Sequence, residues 1–205
     1  MLRVGLTGGL ACGKTTVAAM FEKRGAHVIR ADEIAHQLLD PGTEVHKKVV
    51  ATFGREILNP DGTISRPKLA DLAFQGRIQE LNAIVHPAVV RAQEDWMDAV
   101  GRRDPHAIAV VEAALMIEAG AHKRFDKLIT ITCGLEQKIE RIAQRMNLSA
   151  ADARVEVERR MKAQLPDEKK AELADFVIEN SGTLTNIESQ VTELWKKLVE
   201  IEAGR

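Results

Sequence analysis

The stretch that decides the fold is MLRVGLTGGLACGKTTVAAMFEKRG, residues 1–25. It contains the phosphate-binding P-loop spacing G-x-x-x-x-G-K-[ST], carried by Gly8, Gly13, Lys14 and Thr15. Glycines permit the tight turn that aims successive backbone N–H groups at an anion, and a following helix N-terminus favours negative charge. A chance glycine-rich turn would lack this context, because a strand pattern over 2–7 precedes the loop and an amphipathic helix pattern over 17–24 follows it.

The residue types of the loop indicate that it holds ATP and a metal ion. Lys14 would reach the β- and γ-phosphates, and the Thr15 hydroxyl would be a ligand of Mg²⁺. We therefore predict ATP as co-substrate and Mg²⁺ as metal. The predicted nucleotide-binding residues of the loop are Gly8, Gly9, Ala11, Cys12, Gly13, Lys14, Thr15 and Thr16.

Composition restricts the class of protein and its partners. The 205 residues suit one domain with appendages, and 45% hydrophobic and 29% charged residues are ordinary values for a globular chain. The formal net charge of −1 provides no overall basic field, so we expect neither nucleic acid nor a membrane as partner. Two cysteines form no disulfide framework, and the sequence shows neither a signal peptide nor a long apolar segment, so we expect a cytoplasmic protein. No feature predicts an oligomeric state.

Short apolar runs alternate with helical patterns along the chain. This alternation predicts an α/β fold whose mostly parallel sheet is covered by helices on both faces. The predicted strands lie at 2–7, 27–30, 108–111, 128–132 and 176–178.

Two intervals depart from the alternation. Residues 31–104 are long, poor in strands and helical in pattern, which predicts an inserted acceptor-binding region with helix starts at Arg66-Pro67 and His86-Pro87. The interval 136–170 is helical and cationic, and its arginines are either a solvated helix surface or, for one or two of them, part of a mobile lid that acts on the transferred phosphoryl group. These arginines are Arg141, Arg145, Arg154, Arg159 and Arg160.

Two carboxylates follow predicted strands, and each has two interpretations. Asp32 comes after the second strand, at the edge of the sheet where ligands of α/β proteins collect, and could accept or orient the proton of an acceptor hydroxyl. It could equally cap the helix that begins near Glu33. Glu112 ends the third strand, where it either helps to hold the metal or has no catalytic role.

Several stretches in order along the chain resemble bacterial dephospho-CoA kinase. The P-loop is common to many kinases, but the combination of the other stretches is specific to this family. The matching stretches are VGLTGGLACGKTTVA at 4–18, ADEIAHQLL at 31–39, ISRPKLADLAF at 64–74, LNAIVHPAV at 81–89, LMIEAG at 115–120 and ADFVIENSGT at 174–183.

The resemblance implies the activity and the architecture. It implies ATP-dependent phosphorylation of the ribose 3′-hydroxyl of dephospho-CoA, giving coenzyme A and ADP in the last step of coenzyme A biosynthesis. It implies a P-loop kinase fold in which a five-stranded parallel sheet is flanked by helices, as a single domain over 1–205. The predicted core is 1–30, 105–135 and 174–205, with a helical CoA-binding insertion at 31–104 and a helical lid at about 136–170.

The resemblance also implies roles for residues outside the loop. Asp32 would be the catalytic carboxylate and would act together with Lys14. Arg141 would be the residue of the lid that clamps the phosphate. Arg66 would contact the acceptor; His86 would either do so too or be a helix-start residue held by packing. Asn180 would either meet adenine or serve only as a turn residue.

The chain departs from the family at the centre of the loop, where Ala11 and Cys12 replace the usual Gly-Ser. If position 11 requires a positive φ, alanine costs roughly 1 kcal/mol there. We also predict that the anion-attracting loop favours the thiolate of Cys12; the alternative is a small residue that merely replaces serine. A different small-molecule kinase and an ATP-dependent switch protein are the rival functions.

Overall fold

The computed structural model describes all residues from Met1 to Arg205. A five-stranded sheet has the strand order β2-β3-β1-β4-β5. The central strand β1 pairs in parallel with β3 and β4, and β4 pairs in parallel with β5. The predicted parallel α/β fold is therefore confirmed. The strands are β1 (Leu2–Gly8), β2 (His27–Arg30), β3 (Ile108–Glu112), β4 (Lys127–Thr132) and β5 (Phe176–Glu179).

Helices connect the strands. Thr43, Ser149 and Thr183 each cap a helix N-terminus through a side-chain oxygen that accepts a backbone N–H. No helix is both long and apolar enough to cross a membrane. The helices are α1 (Lys14–Glu22), α2 (Ala31–Leu38), α3 (Glu44–Phe53), α4 (Arg66–Leu72), α5 (Ile78–Arg103), α6 (Leu135–Met146), α7 (Ala150–Met161), α8 (Asp167–Leu173) and α9 (Leu184–Ala203).

The principal core lies between one face of the sheet and helices α1 and α9. Alternate residues of β1, namely Leu2, Val4 and Leu6, are buried in it. They meet apolar residues of both helices, and the rings of Phe21 and Trp195 lie 6.3 Å apart at this contact. The core holds β1 and the first turn of α1 rigidly on either side of the loop that joins them.

The chain divides into two compact units, residues 1–28 with 100–205 and residues 29–99. The first unit contains the P-loop sequence and helices α6 to α9. The second has its own apolar cluster, built around Val49, Phe53 and Ile57. The role of the predicted insertion in binding CoA stays a prediction.

The structure confirms one predicted helix start in the second unit and contradicts the other. Helix α4 begins at Arg66 after Ser65, as predicted. His86-Pro87 does not start a helix, because both residues lie inside the continuous helix α5. The interior proline is tolerated because residues at helical spacing on both sides of it pack against the apolar cluster of this unit; these are Leu81, Ile84, Val85 and Ala88.

Candidate active site

The loop between β1 and α1 has the shape that its glycines predict. Strand β1 ends at Gly8, and α1 begins at Lys14, as the sequence indicated. Gly13 precedes the helix with φ 86°, and a Cβ atom at this position would collide with Nδ2 of Asn180. Glycine is therefore required at position 13 both by the backbone angle and by the neighbouring side chain.

Ala11 adopts a left-handed backbone conformation, with φ 55°. Position 11, where glycine is usual, therefore does require a positive φ. Alanine at this position carries a backbone strain of about 1 kcal/mol. The Ala11 carbonyl accepts a hydrogen bond from Arg141 at 3.1 Å, and its side chain packs with a small cluster formed by α6 and α7. These contacts hold the strained residue in place.

The side chain of Lys14 folds back over its own loop. Its Nζ atom donates to the carbonyls of Gly8 at 3.3 Å and Gly9 at 3.0 Å. An ammonium group held against the loop backbone brings positive charge to the loop, which favours a phosphate that binds there.

Thr15 and Glu112 form the candidate metal site. The Thr15 hydroxyl donates to Oε1 of Glu112 at 3.0 Å, and Glu112 is buried at the end of β3. A hydroxyl and a carboxylate are oxygen ligands of the type that Mg²⁺ prefers. The chain has no group of three or more His, Cys, Asp or Glu side chains able to hold a metal. This donor set therefore fits a Mg²⁺ ion that is completed by phosphate oxygens and water.

Arg141 and Asn180 form a hydrogen-bonded pair that holds the loop. Arg141 donates to the backbone carbonyl of Asn180 at 3.0 Å and to its Oδ1 at 3.1 Å. The Asn180 amide in turn donates to the Cys12 carbonyl at 2.7 Å. Asn180 is 3% exposed, and the bond from its amide to Cys12 is buried. The pair fixes the carbonyls of two consecutive loop residues, Ala11 and Cys12.

The structure contradicts the predicted thiolate of Cys12. Its thiol is buried beneath the loop, and a hydrogen bond to Cys133 together with burial raises its pKa far above the ordinary value. The positive charge of Lys138 acts in the opposite direction but is outweighed. The small-residue interpretation of position 12 is the one that the structure supports.

Sequence reasoning missed an ion pair below the loop. Lys138 of α6, with its side chain 3% exposed, bonds to Asp167 at 2.6 Å. Asp167 begins α8 and lies so close to Gly9 that a Cβ atom there would collide with the carboxylate. The attraction of Asp167 raises the pKa of Lys138 in spite of burial, which lowers it. No local pattern in the sequence distinguished this lysine from those on solvated helix faces.

The remaining cationic side chains of 136–170 include several surface ion pairs. Arg154 pairs with Glu136, and Arg159 and Arg160 both pair with Glu156. These pairs fit the interpretation of a solvated helix surface. Of the arginines in this interval, Arg141 is the one that bonds to the loop.

The other predicted site residues lie in the unit 29–99. Asp32 is exposed in the first turn of α2, whose N-cap is Arg30, so the capping interpretation of Asp32 is wrong. Arg66 is the exposed first residue of α4, and His86 is exposed in α5. An exposed carboxylate or cation is accessible to a ligand, and the roles of these three residues stay predictions.

A parallel sheet with a phosphate-binding loop after its central strand, a lysine over that loop and an arginine beside it define a P-loop kinase. Two solved structures share the fold over nearly the whole chain. TT1252 from Thermus thermophilus has a TM-score of 0.76 at 30% identity, covering 95% of this chain and 96% of that one. A dephospho-CoA kinase from Campylobacter jejuni has a TM-score of 0.70 at 25% identity, with 96% of each chain covered.

Sequence comparison identifies the family. The model of the dephospho-CoA kinase family matches residues 2–186. A dephospho-CoA kinase from Geobacter metallireducens is 41% identical over 202 residues, which are 98% of each chain. The chain therefore belongs to the dephospho-CoA kinase family, and its reaction is the ATP-dependent phosphorylation of dephospho-CoA in coenzyme A biosynthesis.

Proposed function

We propose that the chain transfers the γ-phosphoryl group of MgATP to the ribose 3′-hydroxyl of dephospho-CoA and releases ADP and coenzyme A. The observation that carries the proposal is the arrangement around one loop: an ammonium group over the loop carbonyls, a hydroxyl paired with a buried carboxylate, and an arginine bonded to the loop backbone. Phosphoryl transfer requires mainly positioning and charge stabilisation, which these groups supply.

The loop residues hold the donor. ATP would bind across Gly8–Thr16, with its β- and γ-phosphates on the backbone N–H groups and on Lys14. Thr15 would hold Mg²⁺, with Glu112 as its neighbour. A bound Mg²⁺ would neutralise charge on the phosphate oxygens. Arg141 lies close enough to the loop to bring positive charge to the phosphoryl group as it moves.

Asn180 is proposed as a residue that positions the loop. Its side-chain amide is already engaged by Cys12 and Arg141. Its contact with adenine stays a prediction. Because the side chain is engaged by these bonds, the backbone of Asn180 is the part that would contact adenine.

The acceptor side of the proposal is supported by chain topology and family membership. Asp32 directly follows β2 in a parallel sheet, at the edge where ligands of such sheets bind, and would accept or orient the proton of the 3′-hydroxyl. Arg66 and His86 would contact dephospho-CoA, and helices of the insertion 31–104 would receive it. The helices of the interval 136–170 would close over the donor and exclude water, which would otherwise hydrolyse ATP.

The direct test is ADP formation from MgATP with and without dephospho-CoA, with the product identified by mass. AMP and shikimate serve as alternative acceptors. We expect turnover that depends on dephospho-CoA and yields coenzyme A. Turnover with another acceptor alone would indicate a different small-molecule kinase, and ATP binding without turnover on any acceptor would favour the switch protein.

Substitution Asp32→Asn tests the catalytic carboxylate. The amide keeps the size of the side chain but cannot accept the proton, so we expect kcat to fall by about 10²-fold or more. ATP affinity, measured by calorimetry, should stay within about twofold because Asp32 is assigned to the acceptor and not to the nucleotide. A variant with nearly wild-type kcat would remove Asp32 from this role.

A further inference from the structure

Two cysteines lie together directly beneath the nucleotide loop. Cys12 belongs to the loop and Cys133 follows β4, the neighbour of β1 in the sheet. Both are free thiols, 0% and 9% exposed, and both belong to the same buried cluster of the core. The strand pairing between β1 and β4 brings together two residues that are far apart in sequence. Neither thiol group is given a role in the phosphoryl transfer proposed above.

The surroundings make the two sulfur atoms unequal. The hydrogen bond from Cys12 lowers the pKa of Cys133 although burial raises it, and the positive charges of Arg141 and Lys138 lower it further. Cys12 faces the carboxylate of Asp167, with Sγ at 3.8 Å from Oδ2. Cys133 is therefore the sulfur whose surroundings favour the thiolate, and Cys12 is the neighbouring thiol. Such a nucleophilic sulfur beside a second thiol is the arrangement in which oxidation ends in a disulfide.

We propose that Cys12 and Cys133 are a modification site, at which a hydroperoxide such as hydrogen peroxide converts the two thiols into an intramolecular disulfide that disables the nucleotide loop. The site takes a small neutral oxidant, because the limited exposure of Cys133 admits a small molecule but excludes a bulky alkylating reagent. The modification goes beyond the kinase reaction and is reversible by an added thiol.

The chemistry balances in two steps. The Cys133 thiolate attacks one oxygen of hydrogen peroxide, the O–O bond breaks, and the departing hydroxide takes the proton that the thiol lost, which gives sulfenic acid and water. The sulfur of Cys12 then attacks the sulfenic sulfur, so that the S–S bond forms and the S–O bond breaks. The departing hydroxide takes the Cys12 proton and leaves as a second water. Both sulfurs are oxidised and the peroxide is reduced.

The disulfide would displace the backbone of the loop. An S–S bond of about 2.05 Å is much shorter than a contact between two separate sulfur atoms, so Cys12 must move towards β4. The Cys12 carbonyl is held by Asn180 and the preceding Ala11 carbonyl by Arg141, and both bonds would be disturbed. A displacement of the order of 1 Å in a loop that positions ATP would lower kcat/KM by about 10²-fold.

The test treats the purified full-length protein with hydrogen peroxide under native conditions. We expect loss of both titratable thiols, an intact mass lower by two hydrogen atoms, and a proteolytic peptide pair that links Cys12 to Cys133. We further expect kcat/KM for ATP to fall by about 10²-fold and to recover after dithiothreitol. The effect on kinetics rests on the proposed function, whereas the linked peptide does not, so the two can fail separately.

The matched control is Cys133→Ser, with Cys133→Ala as a second variant if the first does not fold. Each should keep the basal activity and lose the peroxide sensitivity that dithiothreitol reverses. Retention of both thiols in the treated wild type would overturn the proposal, as would oxidation of either sulfur without the linked peptide. A linked peptide with unchanged ATP affinity would overturn the part that concerns the loop, as would a control variant that stays as sensitive to peroxide as the wild type.

Discussion

The substitution Asn180→Ala tests how the loop is held in shape. It removes the amide that donates to the Cys12 carbonyl at 2.7 Å and the oxygen that accepts from Arg141 at 3.1 Å. The Cys12 carbonyl then loses a buried partner, which costs about 1–3 kcal/mol. Arg141 keeps its bonds to two backbone carbonyls, so its loss is nearer about 1 kcal/mol. We expect the free energy of unfolding to fall by roughly 3 kcal/mol in total.

The same substitution should weaken ATP binding. A loop whose carbonyls are no longer held must be ordered when ATP binds, and an ordering cost of about 1.4 kcal/mol corresponds to a tenfold higher Kd. Urea unfolding at constant m-value measures the stability, and calorimetry with MgATP measures the affinity.

The matched control is Asn59→Ala. Asn59 donates from its amide to the Thr63 hydroxyl at 2.9 Å, in a turn of the unit 29–99. Its loss should cost less than about 1 kcal/mol because this turn is accessible to water, and ATP affinity should not change. The reasoning is refuted if Asn180→Ala binds ATP as tightly as the wild type, or if it is no less stable than the Asn59 variant.

Two further predictions concern backbone shape and pH. Gly13→Ala and Gly25→Ala both place a Cβ atom at positive φ, but only at Gly13 would that atom meet a neighbour, Nδ2 of Asn180. We expect Gly25→Ala to lower the free energy of unfolding by about 1–2 kcal/mol and Gly13→Ala to lower it clearly more. Only the Gly13 variant should lose ATP binding. Equal losses of stability in urea unfolding would contradict the role of the collision. Burial raises the pKa of Glu118, but the ion pair with Lys170 at 2.9 Å and hydrogen bonds from backbone N–H groups outweigh it and hold the pKa below its ordinary 4.5. The Glu118 carboxylate therefore stabilises the fold above pH 4.5, and the stabilisation is lost as the pH falls through the lower folded pKa. The stability difference between wild type and Glu118→Gln should shrink between pH 7 and pH 3 in urea unfolding, and a constant difference would speak against the ion pair.

The strands and the loop could be predicted because their information is local. The apolar run Leu2–Gly8 between turn residues, the glycine spacing and the start of α1 at Lys14 each depend on a few consecutive residues. The parallel order of the strands followed from their alternation with helices. The identity of the loop therefore did not depend on knowing the rest of the structure.

The errors of the sequence-based predictions arose where tertiary contacts determine the local structure or the ionisation of a side chain. His86-Pro87 has the local form of a helix start, yet the packing of residues on both sides of Pro87 maintains one helix. The thiolate of Cys12 was inferred from a loop that attracts anions, while the sheet places Cys133 against it and changes the sign of the shift. The pair of Lys138 and Asp167 joins residues 29 positions apart, and periodicity alone does not reveal a bond between two helices.

The position of β1 in the sheet has a consequence for the synthesis of the chain. Its neighbours β3 and β4 begin at Ile108 and Lys127, so all its strand-pairing partners are made long after β1 itself. At roughly 5–20 residues per second on the ribosome, the apolar run 2–8 waits about 5–20 s for the first of them. During this interval the unit 29–99 can already fold, because it has its own apolar cluster. The segment that carries the nucleotide loop is therefore made well before its strand partners and is completed late, and until then its strand edges are open to chaperones and to other nascent chains.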